Sequence, residues 1–175
     1  LSMPGAPFIY YGDEIGMRYI EGLASVEGGY NRTGSRSPMQ WDHTANDGFS
    51  SAPSEKLYIK MDDAADRPTA EAQMADGNSL YHEVKKLIAL RQTHAALQSN
   101  GEIEFVYAAK NAYPLSYLRS ADEERILVVL NPSAKTAGFE SELPEGELIY
   151  SFGTPAKKEG STWTVPPCSA SFIKL

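Results

Sequence analysis

Between the turn signal Pro4-Gly5 and Gly12 the chain carries an unbroken apolar and aromatic run, Pro7-Phe8-Ile9-Tyr10-Tyr11. Successive side chains of a strand point to opposite faces, so a half-exposed strand alternates apolar with polar residues. This run does not alternate. It reads as a strand covered on both faces, the kind found in parallel sheets. Such a strand needs parallel neighbours, and nothing after it supplies them.

The rest of the chain has two textures. From Arg18 to about Gly77 it is rich in Gly, Ser, Asp, Asn and Pro, with turn signals at Gly28-Gly29 and Asn46-Asp47-Gly48. A loop of this length is unusual in a compact domain and is often functional. A helix is then predicted, because Leu80, Val84, Leu87 and Ile88 fall on one face. Ser79 is placed to cap its start. Lys85, Lys86 and Arg91 lie where the helix dipole favours cations. Asn100-Gly101 supplies a stop beyond it. From Glu102 onward, short apolar runs alternate with turn residues: Ile103–Tyr107, Leu115–Arg119, Ile126–Leu130, Leu148–Ser151, Thr162–Val165 and Ala170–Leu175. That spacing predicts an antiparallel sandwich or barrel, with the wholly apolar Ile126–Leu130 in its centre. One strand, one helix and then only strands is an odd order for a single domain. It reads as the tail of one domain joined to a complete second one.

Composition narrows the function classes. Hydrophobic residues make up 42% of the 175, enough for a core. The net charge of -7, with Lys and Arg scattered, argues against a nucleic-acid partner. No stretch is apolar for the ~20 residues of a membrane helix. The single cysteine, Cys168, forbids an intrachain disulfide and leans the compartment toward the cytosol without deciding it. The chain opens on Leu1 with no leader pattern, so an internal start is expected.

Most chemical templates fail. His43, His82 and His94 lack zinc spacing, and Asp62, Asp63 and Asp66 lack the pattern of a calcium loop and read as a solvated stretch. No nucleophile elbow is present, and Cys168 reads as a structural thiol. Gly29 and Gly34 imitate a phosphate loop, with Ser35 in place of its lysine. Asn31-Arg32-Thr33 is a glycosylation sequon that reads as chance. Two segments remain: Pro4 to Met17, in which a buried strand feeds Asp13-Glu14 into a loop flanked by Gly12 and Gly16, and Arg36-Ser37-Pro38-Met39-Gln40-Trp41-Asp42. Asp13 and Glu14 read as loop anchors. Arg36 reads equally as a surface ion-pair partner or as a donor to carboxylates or sugar hydroxyls.

Together the two segments resemble the α-amylase superfamily of glycoside hydrolases. The first is similar to its eighth barrel strand and following loop. The second is similar to an Arg-Ser/Thr-Pro-Met-Gln-Trp motif frequent in its exo-acting branch of α-glucosidases, oligo-1,6-glucosidases, dextran glucosidases and trehalose synthases. The resemblance implies an α/β plus all-β fold. Residues 1–100 would be the end of a TIM (β/α)8 barrel: last strand, substrate-side loop and last helix. Residues 101–175 would be an antiparallel β-sandwich C-terminal domain. It also implies a retaining mechanism on α-linked gluco-oligosaccharides, in which one carboxylate attacks the anomeric carbon and another serves as acid and then base. In the family these carboxylates lie on earlier strands, so no catalytic residue and no metal ligand is expected in this chain, which alone would be inactive. Arg36 would help hold the non-reducing-end glucose. Asp13, Glu14 and Trp41 would be structural in the loop. No cofactor is evident, and a calcium ion in the parent enzyme is left open.

Two rival readings stand beside this one. The parent could be a trehalose synthase-type transglycosylase. Alternatively, the β-domain could be a non-catalytic module that stabilises its neighbour or binds α-glucan through Trp163, Tyr107, Tyr113 and Tyr117, which as strand aromatics read first as core. Deprived of barrel neighbours, the Phe8–Tyr11 strand is expected to pair with another copy of the chain or to lose order.

Overall fold

A computed structural model describes residues 1–25 and 32–175. The Gly28-Gly29 turn signal, Gly29 of the imitated phosphate loop and Asn31 of the sequon lie outside the described residues. The chain forms two compact units, one of Phe8–Lys86 and one of Leu1–Pro7 with Leu87–Leu175.

The larger unit is built on strands β1 (Glu102–Ala108), β2 (Leu115–Ala121), β3 (Glu124–Asn131), β4 (Ala137–Glu140), β5 (Glu147–Phe152), β6 (Lys157–Glu159), β7 (Thr162–Val165) and β8 (Ser169–Lys174). They make a five-stranded sheet in the order β1-β2-β3-β8-β5 and a three-stranded sheet in the order β4-β7-β6, with all pairings antiparallel. Strand β3 is central, as its composition predicts. Leu127 and Val129 join Leu118 and Ile173 against Phe139, Trp163 and Val165 of the smaller sheet. Ile126 and Val128, one residue out of step, face the other way with Tyr117 and Phe172 onto Ala96 and Leu97. Burial on both faces is why β3 shows no alternation.

Strands β4 and β6 were not expected from sequence. Ala137-Gly138-Phe139-Glu140 is short and glycine-interrupted, and Lys157-Lys158-Glu159 is wholly charged. Each is held by pairing with β7 rather than by a pattern of its own.

The predicted helix is α2, after a shorter α1; these span Leu80–Thr93 and Ala70–Ala75. The Ser79 hydroxyl accepts the His82 N–H at 3.4 Å, a weak version of the expected cap. The helix stops at Thr93, well before Asn100-Gly101, because the next residues are claimed by the sheet: Ala96 and Leu97 drop into its core. Arg91 is not a solvated dipole partner. It is buried and donates to the carbonyls of Leu1, Met3 and Gly5.

Glu124, at the start of β3, fastens that junction. Its carboxylate accepts from His94 Nδ1 at 2.7 Å and the Ala96 N–H at 3.0 Å, and lies 3.2 Å from Lys174 Nζ. Burial works to raise its pKa, but these partners outweigh burial and hold it at about 2, below the ordinary 4.5. A carboxyl depressed in the folded state contributes stability above its unfolded pKa and loses it as pH falls toward the folded one. The larger unit is therefore expected to weaken between about pH 4.5 and about pH 2, and Glu124→Gln to flatten that slope. Denaturant midpoints of both proteins across this window measure it; equal slopes would remove Glu124 as the cause.

In the smaller unit the structure corrects two expectations. Phe8–Tyr11 is not a strand: no described segment pairs with it, and Phe8 is 96% exposed. A strand is defined by its ladder, and without neighbours the same residues remain as an unpaired stretch. Nor is the Asp62–Asp66 stretch simply solvated. Asp62 is buried and takes a forked pair from Arg18, whose third nitrogen reaches Asp66 at 3.0 Å. No helix among the described residues is long and apolar enough to cross a membrane.

Candidate functional site

The two segments singled out from sequence meet in the smaller unit. Gly12, at φ 88°, opens a 3-10 turn over Asp13–Ile15, and a Cβ there would collide with the Met17 side chain. The turn buries Ile15 against Met39 and Ala70, so the loop after Tyr11 and the Arg36–Asp42 motif share one small core. The Tyr11 hydroxyl donates to the Ser37 carbonyl at 2.9 Å and ties them again.

The motif itself is anchored through its backbone. Ser37, Pro38, Met39 and Gln40 are buried. The Gln40 and Trp41 carbonyls accept the N–H groups of Ala70 and Glu71, two donors that the first turn of α1 cannot satisfy internally. Thr69 completes that cap by accepting from Ala72 at 3.2 Å. The Trp41 N–H donates to the Asp47 carbonyl at 2.9 Å. Asn46 and Asp47 take left-handed conformations at φ 52° and 50°, as their turn signal suggests. Arg67 fixes Asp47 with a two-pronged bond. With its backbone held, Trp41 keeps its indole half exposed.

A cleft of about 460 Å³ results, walled by Tyr11, Glu14, Arg36, Trp41, Phe49 and Tyr58 over Pro38, Met39, Leu57 and Ile59. The structure thus brings Glu14, Arg36 and Trp41 together. Asp13 is elsewhere: its carboxylate turns back to accept the Tyr10 N–H at 3.1 Å. Arg36 ends a 3-10 turn over Thr33–Arg36. There Gly34 lies so close to the Ile20 carbonyl that no side chain fits. Burial, and then the adjacent Tyr10, raise the Tyr11 phenol above its ordinary pKa; the Arg36 charge opposes them. The cleft is therefore mainly aromatic, with one guanidinium and one carboxylate. It can offer apolar ring faces and both a donor and an acceptor.

Sequence reasoning passed over Phe49, Leu57, Tyr58 and Ile59. Their signal was available: large apolar residues stranded in a stretch otherwise made of Ser, Asp, Lys and Pro. Among the described residues, no group of three His, Cys, Asp or Glu side chains is placed to hold a metal ion. In the larger unit Tyr117 and Trp163 are core and Tyr107 packs against it, which leaves Tyr113 as the exposed member of that aromatic set.

Residues 1–100 match the α-amylase catalytic-domain family. A trehalose synthase of Thermus thermophilus is 34% identical over 146 residues, covering 80% of this chain and 14% of that protein. An oligo-1,6-glucosidase of Parageobacillus thermoglucosidasius is 31% identical over 176 residues, covering 85% and 30%. The crystal structure of the trehalulose synthase MutB from Pseudomonas mesoacidophila MX-45 superposes with a TM-score of 0.81 at 27% identity, covering 99% of this chain and 36% of that one. The chain spans about a third or less of the length of these proteins.

Proposed function

The chain belongs to the α-amylase family, and from that membership we propose that it is part of a glycoside hydrolase or transglycosylase acting on α-glucosidic bonds. In this reading residues 1–100 are the end of the catalytic barrel, and 101–175 form a C-terminal domain that stabilises it. The Arg36 cleft receives the non-reducing-end glucose of an oligosaccharide. The nucleophile and the acid/base come from parts of the enzyme outside this chain.

One observation carries the reading: Arg36 and Trp41, from the segment that resembles the motif of the exo-acting branch, stand on the wall of an aromatic cleft. Aromatic faces suit the C–H faces of a pyranose, and a guanidinium offers several donors to its hydroxyls. The same cleft argues against catalysis by these residues alone. Retaining enzymes set two carboxyl groups about 5–5.5 Å apart across the bond, and only one carboxylate, Glu14, lines this wall among the described residues. Whether water or a second sugar takes the glucosyl intermediate divides the hydrolase from the transglycosylase; the trehalose synthase relative keeps the second in view. Burial of Trp163 and Tyr117 supports a stabilising role for the β-domain over α-glucan binding.

The test is kinetic. This chain alone is expected to release no nitrophenol from p-nitrophenyl α-glucoside. Arg36→Ala in the full enzyme is expected to lower kcat/KM roughly ten- to a hundredfold, the worth of a charged hydrogen bond. Turnover by the chain alone, or an unaffected R36A enzyme, overturns the proposal.

A further inference from the structure

Asn100-Gly101 does not end helix α2. It lies just before β1, and the pair carries a chemistry of its own. The side-chain amide of an asparagine is open to attack by the backbone nitrogen of the next residue. A glycine there leaves that nitrogen unshielded. A bond forms between the Gly101 nitrogen and Asn100 Cγ, the amide group leaves as ammonia with the proton of that nitrogen, and a cyclic imide results. Water then opens the imide. Cleavage at Cγ gives aspartate, and cleavage at the main-chain carbonyl gives isoaspartate.

The native fold holds this pair apart from that route. Asn100 is exposed, but Gly101 is buried. The Gly101 N–H donates to the Gln98 carbonyl at 3.2 Å. Arg119 grips the backbone on both sides of Asn100, through the carbonyls of Gln98 at 2.8 Å, Gly101 at 3.0 Å and Glu102 at 3.0 Å. The Ser99 carbonyl accepts the Gly5 N–H at 2.9 Å. Ring closure needs the backbone to rotate until the Gly101 nitrogen faces Cγ, so these bonds must open first. Packing also explains the glycine: a Cβ on Gly101 would collide with the Ala96 carbonyl and the Arg119 guanidinium.

We propose that Asn100-Gly101 is a modification site, closed in the native fold and exposed when the Arg119 joint opens, at which deamidation fixes the opened state. Isoaspartate carries the side-chain methylene into the main chain and adds a carboxylate. The Gly101 and Glu102 carbonyls then no longer fall on Arg119. The same guanidinium holds the Ser2 carbonyl, so the first residues of the chain lose their hold with it.

The purified chain is aged in mildly alkaline buffer, folded and in urea. Peptides spanning Asn100 are followed by mass spectrometry, and isoaspartyl methyltransferase labelling marks isoaspartate. Folded chain is expected to deamidate at Asn100 at least about tenfold more slowly than unfolded chain, because reaction waits for opening. Arg119→Met should remove most of that protection. Urea below the unfolding transition tests the same link without the variant: deamidation and amide exchange of Gly101 should rise together. Isoaspartate-containing chain, separated by ion exchange, is expected to melt below fresh chain and to exchange the amides of residues 1–5 faster. Asn100→Gln, aged alike, should keep its midpoint. Equal rates in folded and unfolded chain would mean that the fold does not guard the pair, and would overturn the proposal. Isoaspartate-containing chain that melts and exchanges like fresh chain overturns it too. An Asn100→Gln chain that loses as much on ageing places the damage elsewhere and has the same consequence.

Discussion

Arg119→Met is expected to destabilise the larger unit by roughly 3–5 kcal/mol, a large share of the ~5–15 kcal/mol that holds a typical domain together. Arg119 is 0% exposed on β2, and among the described residues its guanidinium is paired with backbone carbonyls rather than a carboxylate. It donates to four backbone carbonyls: Glu102 at 3.0 Å, Gln98 at 2.8 Å, Gly101 at 3.0 Å and that of Ser2. Burial, reinforced by the nearby Arg91 charge, lowers its pKa, yet an arginine so placed stays charged. Carbonyl dipoles replace water around it. Methionine keeps most of the stem's volume but leaves all four acceptors short of a donor. The Ser2 hydroxyl also bonds the Tyr117 phenol at 2.6 Å, so the first residues of the chain are expected to detach together. Denaturant unfolding followed by Trp163 fluorescence measures the loss. Amide exchange of residues 1–5 separates local release from global weakening. A change under about 1 kcal/mol would show that water satisfies the carbonyls instead.

Arg119 also marks where sequence stops being informative. Within Leu115–Arg119 it reads as the polar end of a strand, and Arg91 reads as a helix-dipole cation. What buries both is the chain near Ser2, more than a hundred positions from Arg119 and invisible to any local pattern. Where a local pattern suffices, reading succeeds. The unalternating Ile126–Leu130 is central because both its faces are covered. Asn46-Asp47-Gly48 turns because those residues tolerate left-handed backbone. Strands β4 and β6 escape notice because β7 supplies their order. Helix α2 ends early because Ala96 and Leu97 gain more from the sheet core than from another turn. The cleft divides the same way. Glu14, Arg36 and Trp41 stand in recognisable motifs, whereas Phe49 and Tyr58 join them only through the path of a loop whose corners are set by Asp47–Arg67 and Asp62–Arg18 ion pairs.

Chains carrying Phe8→Lys with Tyr10→Lys are expected to remain monomeric at concentrations where the natural sequence dimerises, the dimer dissociation constant rising about tenfold or more. Phe8, Ile9, Tyr10 and Tyr11 are all exposed, and Phe8 almost wholly so. Their composition is that of a strand covered on both sides, and no described segment covers them. Unpaired backbone beside aromatic surface is a template for another strand, and a second copy carries the same template. Lysine at residues two apart charges one face of that strand in both partners, so pairing would oppose like charges across it. The adjoining turn depends on Gly12, Asp13 and the Tyr10 backbone N–H, none of which these substitutions remove. Sedimentation velocity over a concentration series gives the association. Amide exchange at Ile9 and Tyr11 tells whether the contact is a ladder, since the Tyr10 amide is already bonded to Asp13. A natural sequence that stays monomeric throughout while those two amides are strongly protected would mean that the segment finds its cover within its own chain. It would not then be the open strand edge that pairing between copies requires.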